Sequence, residues 1–301
     1  MPAFIMANLG SVLKWGAVGV AAAGAACVAY GVVVEHQWYR ATRWRVAILP
    51  SGAEPLALLH LSDLHFTRRD RRKKAFLSTL DRPDVAVITG DFLAEPAGVE
   101  MAVEAVRPLR GRVASFVVLG SNDYFIPRMI NPLDYVIRSR PRTKAKGNRW
   151  RDLVTLLEAD GWTFLRNQKT GFGQNGTRFE VIGLDDPHIA WQDLRTAVRE
   201  RPDEVGLAVV HSPDPAPELA ALGYRLILAG HTHGGQVRMP FVGALLTNGT
   251  TPTKLAMGLS RLGPAFLHVS PGLGTSKYAP FRFLCRPEAT YIDLLPATAA
   301  G

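Results

Sequence analysis

"LALLHLSD", residues 56–63, is a nearly unbroken apolar run that ends on a carboxylate. A strand with one wet face alternates apolar and polar residues. A continuous run of this length therefore reads as a strand covered on both faces. "VAVITGD" (85–91) and "VASFVVLG" (113–120) repeat the pattern, followed by "RFEVIGLDD" (178–186), "VGLAVVHSP" (205–213), "YRLILAGHT" (224–232), "AFLHVSPG" (265–272) and "ATYIDLL" (289–295). Helical signals fall between them: residues 70–81, residues 97–109, Trp150 to Asp160 closed by Gly161, and a stretch around Pro217–Leu222. Strands that alternate with helices specify an α/β layered domain.

The 301 residues are 47% hydrophobic and 20% charged, a globular composition with enough chain for one large catalytic domain. No internal repeat or low-complexity tract interrupts it. The formal charge of +9 suits phosphate or anionic lipid as partners and says nothing about fold. Cys27 sits in an apolar run far from Cys285, so no disulfide framework is expected.

That apolar run, "WGAVGVAAAGAACVAYGVVV" from Trp15 to Val34, has no charge. It matches the ~20 residues a helix needs to cross a hydrocarbon core. The expectation is a transmembrane or signal-anchor helix and a single-pass location in the cell membrane. Alternatives are a cleaved signal peptide, a lipoprotein signal at Cys27 and a buried core helix. Gly24-Ala25-Ala26 lacks the large aliphatic residue of a lipoprotein signal, and the run is long for a cleaved one. Lys14 lies on one side and Arg40, Arg43 and Arg45 on the other, which leaves the side of the catalytic domain open. The chain then divides into a tail (1–14), the apolar helix (15–34), a linker with an edge strand (35–54), a catalytic domain (55–296) and a second tail (297–301). Residues 138–151, "RSRPRTKAKGNRWR", form a basic insertion in that domain.

The strand ends carry the chemistry. In open α/β sheets, ligands gather beyond the carboxyl ends of the strands. Asp63, Asp91, Asn122, His211, His231 and His233 fall at such ends, with His65 just beyond. Asp and His together suit divalent transition metals. A carboxylate such as Asp91 can bridge two cations ~3.5–4 Å apart, as in sites that clamp both oxygens of an in-line displacement. Taken singly, each residue is as well explained as a turn cap or a structural histidine. Their joint presence at successive strand ends points to one shared dinuclear site.

The chain resembles the calcineurin-like metallophosphoesterases, specifically their membrane-associated bacterial phosphodiesterase branch. The resemblance rests on "HLSDLH", "TGD", "AGHTHGGQ" and "GLGTSKYAPFRFLCRPEATYIDL" (272–294) and covers about residues 55–295. It implies a four-layered α/β/β/α sandwich and two divalent metal ions, Mn, Fe, Zn or similar. Asp63, His65 and His233 would hold the first ion and Asp91 would bridge. His211 and His231 would hold the second, with an amide from the third motif. The implied reaction is hydrolysis of a phosphoester or pyrophosphate bond by a hydroxide that bridges the metals and attacks phosphorus in line.

The third motif departs from the family's Gly-Asn-His-Asp/Glu. Here it reads Gly120-Ser121-Asn122-Asp123. Either the loop shifts by one residue and Asn122 supplies the amide ligand, or Ser121 ligates weakly and Asn122 donates hydrogen bonds to the phosphoryl group. Asn122 and Asp123 are the catalytic candidates of this motif. Asn122 cannot transfer a proton at neutral pH; His188 in "DDPHIAW" is a candidate replacement acid, with a structural role as its alternative.

A membrane helix beside such a site suggests a phosphorylated or lipid-linked pyrophosphate substrate. The basic insertion, and Lys277, Tyr278, Arg282 and Arg286 in the late loop, are candidate phosphate contacts or plain surface charges. Two other functions share the fold: a nuclease or nucleotide phosphodiesterase, and a degenerate metal-binding sensor or scaffold without turnover. No basic platform interleaved with aromatics is present, so nucleic acid is not an expected partner.

Overall fold

The unbroken apolar runs become the central strands of two six-stranded sheets. In the computed structural model, residues 2–127, 146–247, 249–275 and 278–297 are described. Strands are numbered in chain order. The first sheet runs β1 (Arg40–Leu49), β14 (Glu288–Pro296), β2 (Leu56–Leu61), β3 (Val85–Thr89), β4 (Ala114–Val118), β5 (Thr163–Phe164). The second runs β12 (Gly258–Leu262), β13 (Ala265–Val269), β9 (Leu226–Ala229), β8 (Val205–Val209), β7 (Thr177–Gly183), β6 (Gln168–Gln174). β2 to β5 are mutually parallel, as are β7, β8, β9 and β13. Their carboxyl ends therefore share one edge in each sheet.

Three apolar layers hold the stack together. Helices α2 (Arg71–Leu77), α3 (Val99–Val106) and α5 (Trp150–Ala159) bury Leu77, Val103, Val106, Leu153 and Leu157 against Leu59, Leu61, Ile88 and Val117 of the first sheet; α4 (Ser121–Tyr124) is a single turn after β4. Leu58, Val87, Phe116 and Ile292 face Phe179, Val181, Leu207 and Leu228 between the sheets. Helix α6 (Ala216–Ala221) covers Ile182, Ala208 and Ile227 on the far side. This is the expected α/β/β/α sandwich. β3, β8 and β9 are wholly buried, because each has a sheet neighbour on both sides and a layer on both faces.

Several boundaries differ from the sequence reading. The strands stop short of their terminal Asp and His residues, which lie in the following loops. The helix expected over 70–81 ends at Leu77, and that over 97–109 is α3 flanked by two 3-10 turns. β6, β12 and the hairpin β10 (Arg238–Met239)–β11 (Gly243–Ala244) carried no apolar run to announce them; β6 is a polar, Gly-containing edge strand. Trp150 and Arg151, at the end of the basic stretch, open α5; residues 138–145 and Lys277 lie outside the described residues.

The segment Lys14–Gln37, which takes in most of the amino-terminal helix α1 (Pro2–Val33) and the 3-10 turn after it, is long and apolar enough to cross a membrane. Its foot is built into the domain. Gly31 lies where a Cβ would collide with the Phe281 ring and the Arg282 carbonyl. Glu35 is buried, and its carboxylate accepts from the backbone N–H of Leu284, at 2.9 Å, and of Cys285. β1, the edge strand expected within 35–54, follows at once and pairs with β14 over its length. Arg40 and Arg43 are ion-paired there to Glu288 and Asp293, and Arg45 lies in the same strand, so all three cations weighed against Lys14 belong to a sheet rather than a loop.

Candidate metal centre

Loops from both sheets meet at the shared strand ends. The loops after β2 and β3 are zipped together by Asp63 N–H to the Gly90 carbonyl and His65 N–H to the Asp91 carbonyl, both at 2.9 Å. Gly230 N–H joins the loop after β9 to the His211 carbonyl. Asp63, His65, Asp91, His231 and His233 all have φ between 43° and 68°. Side-chain-bearing residues enter this left-handed region rarely, at a cost of about 1–3 kcal/mol each. Such a turn ends a strand abruptly and swings the side chain inward. Strain concentrated on five candidate ligands marks a site that the surrounding fold over-determines.

Each side chain is aimed. Asp63 Oδ2 accepts from Ser62 Oγ at 2.6 Å and from His231 N–H at 2.9 Å. Its buried Oδ1 has no hydrogen-bond partner among the described residues and lies 3.5 Å from His233 Nε2. His65 and His233 stack, with their Nε2 atoms 3.3 Å apart. His211 Nδ1 donates to the Thr89 carbonyl at 2.7 Å, which turns its Nε2 inward to 3.2 Å from His231 Nδ1. Asp91 Oδ2 lies 3.7 Å from His65 Nε2 and 3.7 Å from His211 Nε2, between the two histidine pairs. Its Oδ1 accepts from Asn122 N–H at 2.9 Å, and the Asn122 amide also meets this carboxylate.

Glycines make room for this. A Cβ on Gly120 would fall on Asp91 Oδ1 and His211, and one on Gly230 would fall on Ser62 and Asp63.

The donor set fits divalent cations. Two groups have ligand atoms within 4.8 Å of one another: Asp63, His65 and His233; and Asp63, Asp91 and His211. Burial pushes His65 and His231 down to about 4 and His233 down to about 3, which keeps them neutral with lone pairs free. His211 behaves oppositely. Burial opposes its charge, but Asp91, Asp186 and Asp63 outweigh burial and raise it to about 9. A buried carboxylate cluster demands positive charge, and a divalent ion meets that demand as well as an imidazolium does.

The remaining predicted residues fall around the centre. Asp123 uses both carboxylate oxygens on backbone N–H groups, of Leu93 at 3.0 Å and Gly120 at 3.1 Å. It staples the loops after β3 and β4 together. His188 stacks on His231 with ring centroids 4.0 Å apart, and its Nδ1 meets Asp186 Oδ1 at 3.0 Å. Arg282 is not a phosphate contact: it is wholly buried and donates to the carbonyls of Pro271, Gly272, Gly274 and Cys285. Gly272 and Gly274 in turn press on Asp63 and His65.

Sequence reasoning passed over Asp186 and Lys73. Asp186 follows β7, and the strand-end rule applied there would have found it. Lys73 Nζ caps the Leu64 and His65 carbonyls from a buried position that α2 alone does not advertise.

Carboxylates and imidazoles gathered at the strand ends of such a sandwich define a metal-dependent phosphoester hydrolase. The model of the calcineurin-like phosphoesterase family matches residues 56–235, and the chain belongs to that family. It is 26% identical to the metallophosphoesterase YkuE of Bacillus subtilis over 82% of each chain. It is 26% identical to the phosphodiesterase YaeI of Escherichia coli, over 87% of this chain and 90% of that one. The UDP-2,3-diacylglucosamine pyrophosphatase LpxG of Chlamydia trachomatis is 27% identical, over 85% and 89%.

Proposed function

We propose that the chain hydrolyses a phosphodiester or pyrophosphate bond in a substrate carried by the membrane that α1 spans. The observation that carries the reading is the place of Asp91 Oδ2, equally 3.7 Å from a histidine of each pair. That is where a carboxylate shared by two cations would sit.

Asp63, His65 and His233 would hold one cation; His211, His231 and the Asn122 amide would hold another, with Asp91 common to both. Bound divalent cations supply a Lewis acid for phosphoryl oxygens and lower the pKa of bound water. The chain's own groups do the rest. Asp123 holds the Asn122 turn in place through Gly120. Ser62 and the Thr89 carbonyl fix the rotamers of Asp63 and His211. His188, whose Nδ1 meets Asp186, would donate to the departing oxygen in place of the histidine missing from the third motif.

A cleft of ≈ 690 Å³ supports the membrane-borne substrate. It runs from His65 to His36 and Gln37 at the foot of α1 and is lined by Arg69, Arg71 and Arg72. Its lining joins His65 of the proposed centre to the turn that follows α1, and its cations, Lys73 among them, outnumber its one carboxylate, Asp70. The name of the chlamydial relative, a pyrophosphatase of a diacylated sugar nucleotide, agrees with such a substrate.

The test uses the full chain in detergent, stripped of metal and then given Mn²⁺, with bis-p-nitrophenyl phosphate as substrate. Turnover is expected to return with Mn²⁺, to vanish in Asp91→Asn, and to fall about 10–100-fold in Asn122→Ala through weakened metal affinity. Wild-type protein that binds Mn²⁺ without turnover, or an Asp91→Asn variant as active as wild type, would refute the reading.

A further inference from the structure

Beyond the cleft, the hairpin β10–β11 raises a separate question. Met239, Phe241, Val242, Leu245 and Leu246 are all exposed, Phe241 completely and Val242 at 68%. Water gives no reason for this cluster. Phe241 also holds φ at 65°, where glycine or asparagine would serve at less cost. A bulky aromatic kept at a strained tip, with apolar residues on both sides, has the form of a wedge awaiting an apolar medium.

The neighbours of the hairpin say which medium. Val237, one residue before β10, pairs with Phe283, and Arg238 N–H donates to the Phe283 carbonyl at 2.9 Å. The Phe283 ring packs edge-on against Tyr30, in the last turn of α1. The apolar hairpin is therefore fastened, through one residue, to the foot of the helix. The surface at that foot is amphipathic: Trp38 and Leu284 are exposed, and the Arg286 guanidinium lies 4.0 Å from the Trp38 ring. Tryptophan beside arginine is the composition of a headgroup zone. The base of the hairpin is rigid, because Arg238 donates to the Gly234 carbonyl and Ala244 is buried against Gly235.

We infer that residues 239–246 insert into the lipid surface beside α1, a second membrane contact that seats the catalytic domain against the bilayer. The inference rests on the reading of α1 as a membrane span. Four residues, 234–237, connect the hairpin to His233, so the contact holds the rim of the metal centre at the lipid surface.

The experiment places an environment-sensitive fluorophore at Phe241→Cys in full-length chain with Cys27→Ala, Cys285 being buried. A second chain carries the probe at Asn175→Cys, in the β6–β7 turn at the opposite end of the sheets. Both are reconstituted into phosphatidylcholine–phosphatidylglycerol vesicles with nitroxide-labelled lipid and washed in alkaline carbonate. Blue-shifted emission and lipid quenching are expected at Phe241→Cys and not at Asn175→Cys. An unquenched Phe241→Cys probe in carbonate-resistant chain overturns the hairpin contact and leaves the span standing. An unquenched probe in chain stripped by carbonate overturns both. As a second readout, Phe241→Asp with Leu246→Asp should leave hydrolysis of bis-p-nitrophenyl phosphate unchanged and slow that of a bilayer-borne pyrophosphate about tenfold, by weakened surface binding. Equal loss on both substrates would mean a merely structural hairpin and would overturn the inference.

Discussion

Gly120 is a vacancy that the centre uses. A methyl group there would displace Asp91 and His211 together, and a shift of ~1 Å in a reacting group can cost about 10²-fold in rate. Gly120→Ala is accordingly expected to reduce kcat by about that factor while circular dichroism stays unchanged. Metal content measured on the same sample should fall with it. At this scale the sequence was generous. Asp63, His65, Asp91, His211, His231 and His233 were legible because each terminates an apolar run, and the structure gathers all six. Their left-handed φ values were not legible, since they arise from loops zipped to one another across the sheet edge. Nor was the inward turn of Asp123, whose side chain answers backbone groups about 30 residues away in sequence at one end and three at the other.

At the scale of elements, the junction of α1 with the domain is the least expected feature. Periodicity marks helices and strands but not which loop a helix foot will touch, so Glu35 read as one charge in a linker. It is a buried cap for two backbone N–H groups some 250 residues on. Glu35→Ala leaves those groups unsatisfied and should cost about 2–3 kcal/mol, read from the urea midpoint of full-length chain in detergent. Cys285 Sγ reaches the His233 carbonyl at 3.2 Å, so the same variant should also raise the Mn²⁺ concentration needed for half-maximal activity. β6, β12 and the apolar hairpin escaped the sequence reading for a different reason. Edge strands and two-residue ladders are specified by their partners more than by their own composition.

For the whole molecule, the two sheets meet over a largely apolar interior that holds a histidine pair. His60 Nδ1 faces His268 Nδ1 at 2.8 Å, and His60 Nε2 meets Thr89 Oγ1 at 2.9 Å. Burial pushes His268 down to about 3; burial, and then His268 itself, holds His60 well below its ordinary value. Both native pKa values lie below the unfolded ~6.5, so between those limits the unfolded chain binds protons that the native one refuses. The pair's contribution to stability should be flat above pH ~6.5 and fall as pH drops below it, by up to about 1.4 kcal/mol per unit for each imidazole. Urea midpoints of metal-loaded protein between about pH 7.5 and about pH 5, roughly one unit above and one and a half below ~6.5, would measure this. In His268→Leu the slope should be shallower, whatever the change in absolute stability. The α/β class was legible because doubly covered strands alternate with one-sided helices; the four-layer order followed only from the family resemblance.

The rigid foot of α1 has a geometric consequence. A tethered enzyme on a loose leash searches a hemisphere. Here Gly31 and Glu35 remove the leash, so on the membrane reading the catalytic centre stands at a constant height above the bilayer. The cleft between them then acts as a ruler. Bonds that project from the lipid by its length fall within reach, and those set deeper or farther out do not, whatever their chemistry.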